Sequence, residues 1–180
     1  MKQDDFNCRW LTPLITFEQY GNDWEKYRKK LYEIFIRDFI KNNLYFENRK
    51  VQIRVNPKEN GFEHAFIHLT CESLDKTGDP NNRIPDFRRC ERIEWNREII
   101  ENYLCSDNCK KCRKILYYEH YYKNHVRVNL VFADARFKVI LEKRDKYILL
   151  ITGYYIKYDY MLNKEINRAK LFEKQKTPLD

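Results

Sequence analysis

The side chains best suited to catalysis are concentrated in residues 62–100. Two histidines and a carboxylate in this stretch, His64, His68 and Glu72, can move protons. It also contains arginines that can bind phosphate through paired hydrogen bonds: Arg83, Arg88, Arg89, Arg92 and Arg97. Metal-independent RNA cleavage needs a base near the 2′-oxygen, an acid at the leaving 5′-oxygen and cations around the phosphate. These residue types therefore suit an RNA-cleaving enzyme.

His68 is the main candidate for proton transfer, because histidine titrates near neutral pH and Ile67 and Leu69 could hold this one at a sheet surface. Glu72 could orient His68 or substitute for it. The hydroxyls of Thr152 and Tyr154 end the last predicted strand, where an active site on a sheet face could use them. The alternatives are ordinary half-buried or surface histidines and structural strand tyrosines.

Contacts to the RNA are predicted from the charged and aromatic residues around this stretch. Arg88, Arg92 and Trp95 are spaced by four and three residues, so they share one helix face. Arg92 is predicted to stabilise the phosphate, and Trp95 to stack on bases. The predicted substrate-binding residues are Glu72, Arg88, Arg89, Trp95, Lys143 and Arg144. The alternative is an exposed face whose arginines pair with neighbouring acids: Asp86, Glu91 and Glu94.

A cysteine run indicates a possible structural zinc. Cys105, Cys109 and Cys112 form C-x3-C-x2-C, with His120 and His125 downstream, which is part of a tetrahedral zinc pattern. Free thiols are the alternative, because a second C-x2-C pair is missing from the sequence. A catalytic zinc is disfavoured, since His64 and His68 stand in E-H-A-F-I-H and not in H-E-x-x-H.

Hydrophobic periodicity predicts the elements that position these residues. An Asn22 cap with Glu25 three residues later predicts a helix over residues 24–41, and alternation at Val51, Ile53 and Val55 predicts a strand. Residues 62–73 fit a strand or a helix, and both place His64 and His68 on one side. Asp86 is predicted to cap a helix over residues 87–103. Four strands and a closing helix follow, over residues 113–119, 125–132, 136–142, 146–155 and 160–174.

Composition limits the class of protein. The 180 residues predict a single domain, 1–180, with a helical N-terminal part and one strand in 1–61 and a core in 62–176. The net charge of +8 favours a polyanionic partner such as RNA, although solvent-facing lysines would give the same charge. The mean hydropathy of −0.82 excludes an integral membrane protein. The first residues contain no secretory signal, so we expect a cytoplasmic protein.

Three segments resemble the phage-associated branch of the barnase, EndoU, colicin and RelE-like ribonuclease superfamily. They are FIHLTCES, FRRCERIEWNREIIEN and FKVILEKRDKYILLITGYYI. The pattern in that branch is a His-bearing segment, an Arg-Ile-x-Trp segment and strands ending in Thr-x-Tyr. It is met here by His68, by Arg92 to Trp95 and by Thr152 to Tyr154. The insertion of residues 104–112 departs from the pattern.

The resemblance implies an α+β fold in which N-terminal, middle and C-terminal helices pack on an antiparallel four-stranded sheet. It also implies a metal-independent, toxin-like endoribonuclease that forms a 2′,3′-cyclic phosphate. By the resemblance, His68 would be acid or base, Arg92 would bind phosphate, and Thr152 and Tyr154 would line the cleft. The alternative is a catalytically inactive RNA- or protein-binding domain, for example one half of a toxin and antitoxin pair or a phage accessory factor.

Overall fold

The computed structural model describes residues 8–74, 82–107 and 113–176. The described chain contains five α-helices and eight strands. The helices are α1 (Trp24–Phe35), α2 (His64–Thr70), α3 (Phe87–Cys90), α4 (Trp95–Glu101) and α5 (Asp159–Lys176). The strands are β1 (Tyr45–Phe46), β2 (Arg49–Ile53), β3 (Cys71–Ser73), β4 (Arg83–Pro85), β5 (Ile115–Tyr122), β6 (His125–Phe132), β7 (Phe137–Lys143) and β8 (Ile148–Tyr155). The α+β architecture agrees with the sequence prediction.

The predicted antiparallel four-stranded sheet is wrong. The main sheet has six strands in the order β1-β2-β8-β7-β6-β5, and β2 runs parallel to β8. Strands β5 to β8 form the predicted antiparallel meander, but β2 adds to its open edge with Val51 opposite Ile148. The apolar run from Ile148 to Leu150 is buried, and β2 supplies backbone hydrogen-bond partners there. Strands β3 and β4 form a separate antiparallel pair.

The helices also differ from the sequence prediction in detail. Asp23, not Asn22, caps α1, and its carboxylate accepts hydrogen bonds from the backbone N–H groups of Glu25 and Lys26. A π-helical segment, Ile36–Lys41, continues α1. Residues 62–73 contain both α2 and β3, which resolves the ambiguity of that segment. The helix predicted over residues 87–103 is interrupted between α3 and α4.

The two faces of the main sheet bury different helices. Side chains of α1, α2 and α4 pack on one face together with Val128, Leu130, Val139 and Leu141. On this side α4 approaches β8 closely, since a Cβ added to Gly153 would lie 1.8 Å from Oδ1 of Asn96. Helix α5 covers the other face through Leu162 and Ala169. No helix in the described ranges has the length and apolar character needed to cross a membrane.

Candidate functional site

A basic cleft lies on the face of the main sheet that α5 packs against, next to the part of that face that α5 leaves uncovered. Lys138 and Glu142 are four residues apart on β7, so they point to the same face. Glu165 of α5 covers Lys138, whereas Glu142 lines a cavity of about 460 Å³. We call this cavity the histidine cleft, and its polar lining is Arg54, His64, His68, Tyr122, Lys123, Asn124, His125, Arg127, Glu142 and Arg144. Three of the four histidines in the chain therefore meet in one cavity.

Helix α2 forms one wall of the cleft. Its histidines are four residues apart and therefore adjacent on one helix face, with ring centroids 4.1 Å apart. The start of α2 is attached to the chain after β2, because the Ala65 N–H donates to the Arg54 carbonyl at 2.9 Å. At its end, the carbonyl of His68 accepts hydrogen bonds from Arg89 Nη1 and Thr152 Oγ1, both at 3.0 Å. These contacts fix the position of both imidazoles.

Strands β6 and β7 and the turn before β6 form the opposite wall. Arg127 and Glu142 are partners across β6 and β7, and Leu149 is the partner of Glu142 on β8. Residues directly opposite each other on neighbouring strands point to the same face of a sheet. The side chains of Arg127 and Glu142 therefore both point into the cleft. His125 begins β6 directly after the turn between β5 and β6.

Glu142 organises the positive charges of this wall. Its side chain is only 4% exposed, and it pairs with Arg127 Nε at 3.2 Å and with the Arg144 guanidinium. Arg144 Nη1 in turn donates to Nε2 of His125 at 2.7 Å. Arginine has no acceptor atom, so Nε2 of His125 accepts and that imidazole is neutral in this arrangement. The carboxylate therefore holds one arginine against the histidine and a second beside it.

The α2 histidines share a buried charge pair behind the cleft. Glu59 Oε1 lies 2.9 Å from Nδ1 of His64, and Glu59 Oε2 lies 3.4 Å from Nε of Arg83. Arg83 Nη2 donates to Nε2 of His68 at 2.9 Å, which fixes His68 as the neutral tautomer. Burial, together with the charge of Arg83, lowers the pKa of His68 to about 3. Burial also lowers the pKa of His64, although Glu59 opposes this shift.

Glu59, His64 and His68 also form a possible metal-binding triad. Within the described ranges, one donor atom from each lies within 4.8 Å of the other two, and two imidazoles with a carboxylate are a zinc-type donor set. The Arg83 guanidinium, however, already lies against Nε2 of His68 and Oε2 of Glu59. The Arg83 guanidinium therefore contacts two of the three donor groups, His68 and Glu59, in this structure.

The predicted cysteine site is only partly described. Cys109 and Cys112 lie outside the described residues. Cys105 accepts a hydrogen bond from Trp10 Nε1 at 3.4 Å.

Five of the residues singled out in the sequence meet at or beside the cleft. His64, His68 and Arg144 line it. Arg89 and Thr152 lie behind α2 and hold the carbonyl of His68.

The remaining predicted residues lie away from the cleft lining. Arg92 is buried on the ring of Trp95, whose Nε1 donates to the Thr12 carbonyl. Tyr154 packs in the α5 cluster, and Arg88 lies over the Tyr155 ring at 4.7 Å. The other two form ion pairs: Glu72 with Lys157, and Lys143 with Glu47 and Glu119.

Several cleft residues were not identified from the sequence. Arg127 and Glu142 occupy the polar positions of alternating strands, which are normally expected to face solvent. Arg54 follows β2, and Glu59 lies in the turn before α2, so neither shows a motif. One sequence signal could have identified Arg127 and Glu142: they are opposite charges at positions that pair when β6 and β7 form a hairpin.

No family model, curated protein or solved structure matches this chain. The fold and the site therefore define only a class: an α+β protein with a basic cleft that contains three histidines. The resemblance to the ribonuclease superfamily stays a prediction from the sequence segments.

Proposed function

We propose that this protein is a metal-independent endoribonuclease of the barnase, EndoU, colicin and RelE-like type, which cleaves RNA through attack of the 2′-hydroxyl to form a 2′,3′-cyclic phosphate. One observation carries the proposal: His64 and His125 come from opposite walls of a single cleft that also contains Arg54, Arg127 and Arg144. This reaction needs two proton carriers with positive charge between them. The cleft contains both.

His64 is the proposed general base. Its Nδ1–H donates to Glu59, which leaves Nε2 as the acceptor that faces a substrate proton. The lowered pKa keeps this imidazole neutral at pH 7, as a base must be. Glu59 stabilises the imidazolium that forms when the 2′-hydroxyl proton is transferred.

His125 is the proposed general acid. In the free protein its Nε2 accepts a hydrogen bond from Arg144, and a phosphate is a stronger acceptor for that guanidinium. When Arg144 turns to the phosphate, Nε2 of His125 can bind a proton and give it to the leaving 5′-oxygen. Arg127 and Arg54 then share the charge on the phosphorane-like transition state.

His68 has a different role in this proposal from the one predicted by the sequence. Its hydrogen bond from Arg83 and its strongly lowered pKa keep it neutral, so it is poorly suited to supply a proton. Its ring packs on His64 at 4.1 Å and positions that base. Thr152 and Arg89 act in the same way, through the His68 carbonyl.

Several sequence predictions remain part of the proposal. Catalysis is proposed to need no metal, because Arg83 supplies the cation next to the α2 histidines. A structural zinc at Cys105, Cys109 and Cys112, a cytoplasmic location and an antitoxin or other protein partner stay predictions. The second candidate function is an inactive RNA-binding domain, which the same arginines would support without proton transfer.

The test compares RNA cleavage by the parent protein with that of three single variants in excess EDTA. We expect His64→Gln and His125→Gln to lower the cleavage rate by about 10²-fold or more. His120→Gln is the matched control, because His120 lies outside the cleft lining and should leave the rate unchanged. Products should end in 2′,3′-cyclic phosphate by mass spectrometry.

Two outcomes would overturn the proposal. Loss of cleavage in EDTA, restored by zinc, would make the enzyme metal-dependent. Intact RNA with every protein, together with tight RNA binding, would identify the inactive binding domain.

A further inference from the structure

The histidine cleft contains a tyrosine, Tyr122, to which the proposed mechanism gives no role. Tyr122 is 41% exposed, so a ligand in the cleft can reach its side chain. Trp95, which the sequence predicts to stack on bases, is only 4% exposed, and its Nε1 donates to the Thr12 carbonyl. Of these two aromatic residues, only Tyr122 is placed to contact RNA.

The turn between β5 and β6 places Tyr122 beside His125. This turn has two residues, Lys123 and Asn124, so Tyr122 and His125 are the last pair of the hairpin. Residues opposite each other in an antiparallel pair point to the same face, with Cβ atoms about 4.5–5.5 Å apart. Both side chains line the cleft. The tyrosine ring therefore lies next to the proposed general acid.

Arg127 and Glu142 hold the Tyr122 ring from one side. The guanidinium carbon of Arg127 lies 3.5 Å from the ring centroid, and its Nε donates to the buried Glu142 carboxylate at 3.2 Å. A guanidinium that stacks on an aromatic face and is itself anchored holds the plane of the ring. Lys123 Nζ lies 5.6 Å from the same centroid, but Lys123 is exposed in the turn and a base can take its place. The ring therefore has one covered face, and its accessible part lies away from Arg127.

We propose that the Tyr122 ring stacks on the base of the downstream nucleotide, which is the nucleotide that leaves through its 5′-oxygen. The identity of the ligand as RNA and the role of His125 rest on the proposed function. In that function His125 gives its proton to the downstream 5′-oxygen, and Tyr122 is the hairpin partner of His125. His64, which acts on the upstream 2′-hydroxyl, lies on the opposite wall of the cleft. The two histidines therefore set the direction of the RNA relative to Tyr122.

Stacking on a tyrosine depends on the presence of a base and not on its identity. Every base has a π-face, so all four bases should stack in the same way. Removing a stacking aromatic ring weakens binding by about ten-fold or more per base. We therefore expect any downstream base to be accepted, and a substrate without that base to react more slowly.

The experiment compares kcat/KM for three substrates in excess EDTA. They are the dinucleotide uridylyl-adenosine, the same dinucleotide without its downstream base, and the same dinucleotide without its upstream base. Tyr122→Ala should slow cleavage of the first and third substrates by about ten-fold and leave the second unchanged. Tyr121→Ala is the matched control, because Tyr121 is 83% exposed on the opposite face of β5 and lies outside the cleft lining.

Two patterns of cleavage would overturn the inference. An equal loss on all three substrates would show that Tyr122 only positions Arg127. A loss on the first and second substrates, with the third unchanged, would show that the ring contacts the upstream base.

Binding of uncleavable probes separates this inference from the proposed function. The probes are the 2′-deoxy forms of the same three dinucleotides, which lack the attacking hydroxyl, titrated into the full chain by NMR. Tighter binding of the two probes with a downstream base, lost in Tyr122→Ala and kept in Tyr121→Ala, supports the stacking. If the parent then cleaves no RNA, only the proposed function fails. Equal binding of all three probes by the parent would overturn the stacking, whatever the cleavage rate.

Discussion

The guanidinium of Arg92 lies in the protein interior, 5.0 Å from the ring centroid of Trp95 and 5.1 Å from that of Tyr155. Its Nη1 donates to the Arg88 carbonyl at 3.1 Å and to Glu91 at 3.0 Å. Burial lowers the pKa of Arg92, and the residue is only 6% exposed. A phosphate cannot reach a guanidinium enclosed in this way, so we infer that Arg92 stabilises the fold.

We therefore predict opposite effects for two arginine substitutions. Arg92→Ala should lower the free energy of unfolding by about 2–3 kcal/mol, because it removes the packing on two aromatic rings and the hydrogen bonds to Arg88 and Glu91. Arg54→Ala, at an exposed position of the cleft, should change it by about 0.5 kcal/mol or less but reduce cleavage. Urea unfolding and the cleavage rate of the folded protein measure both effects. A stable but inactive Arg92→Ala variant would instead support the phosphate-binding role.

At the scale of elements, a buried ionic contact attaches α5 to the main sheet. Nζ of Lys138 donates to Glu165 at 2.7 Å and to the hydroxyl of Tyr118 at 3.0 Å, and Tyr118 also donates to Glu165. Lys138 is 3% exposed, and burial lowers its pKa. Lys138 lies on the same face of β7 as Glu142, so this contact holds α5 on the face of the sheet that also lines the cleft.

Substitutions at this contact should not be additive. Lys138→Met alone should lower the free energy of unfolding by about 2–3 kcal/mol, because Glu165 loses its buried cationic partner and keeps only the Tyr118 hydroxyl and Arg168, whose Nη1 lies 3.6 Å away. Adding Glu165→Leu should recover most of that loss, because a packed apolar pair avoids the desolvation of both charges. A double-mutant cycle measured by urea unfolding gives the coupling energy. Additive losses would show that the two side chains act independently.

At the scale of the whole molecule, the segment before α1 is attached to the core through Glu98. This carboxylate accepts from the Thr12 N–H at 3.1 and 3.3 Å. Burial raises the pKa of Glu98 to about 7, and the charges of Glu94 and Asp38 contribute. The ordinary pKa of a glutamate is 4.5. At a pH between 4.5 and about 7, Glu98 therefore keeps its proton in the folded protein but has released it in the unfolded chain.

The stability of the protein should therefore contain a component that is present at low pH and lost as the pH rises from about 4.5 to 7. Its size should be about 1 kcal/mol, since solvent screens a half-buried carboxylate. Glu98→Gln should remove this component and make the protein more stable than the parent at pH 8. Urea unfolding of both proteins at pH 4, 6 and 8 measures the difference. Parallel pH profiles would refute the assignment to Glu98.

Local sequence patterns predicted most of the elements but not their full assembly. Alternation located the ends of the meander strands to within three residues, since a strand's period depends only on its own residues. The pairing of β2 with β8 joins residues far apart in sequence, and β1 has only two residues. Neither pairing partner nor direction is encoded in a local pattern, which is why the number of strands and the all-antiparallel sheet were wrong.

The candidate site shows the same division between local and tertiary information. The sequence by itself determined that the α2 segment carries His64 and His68 on one side and that the chain is basic, because both depend on residue type and spacing. Only the tertiary structure decided that Arg92 is buried, that Arg83 reaches His68, and that His125 and Glu142 complete the cleft from the opposite wall. A side chain's exposure and partners depend on which segments pack against it, and that packing is set by the whole chain.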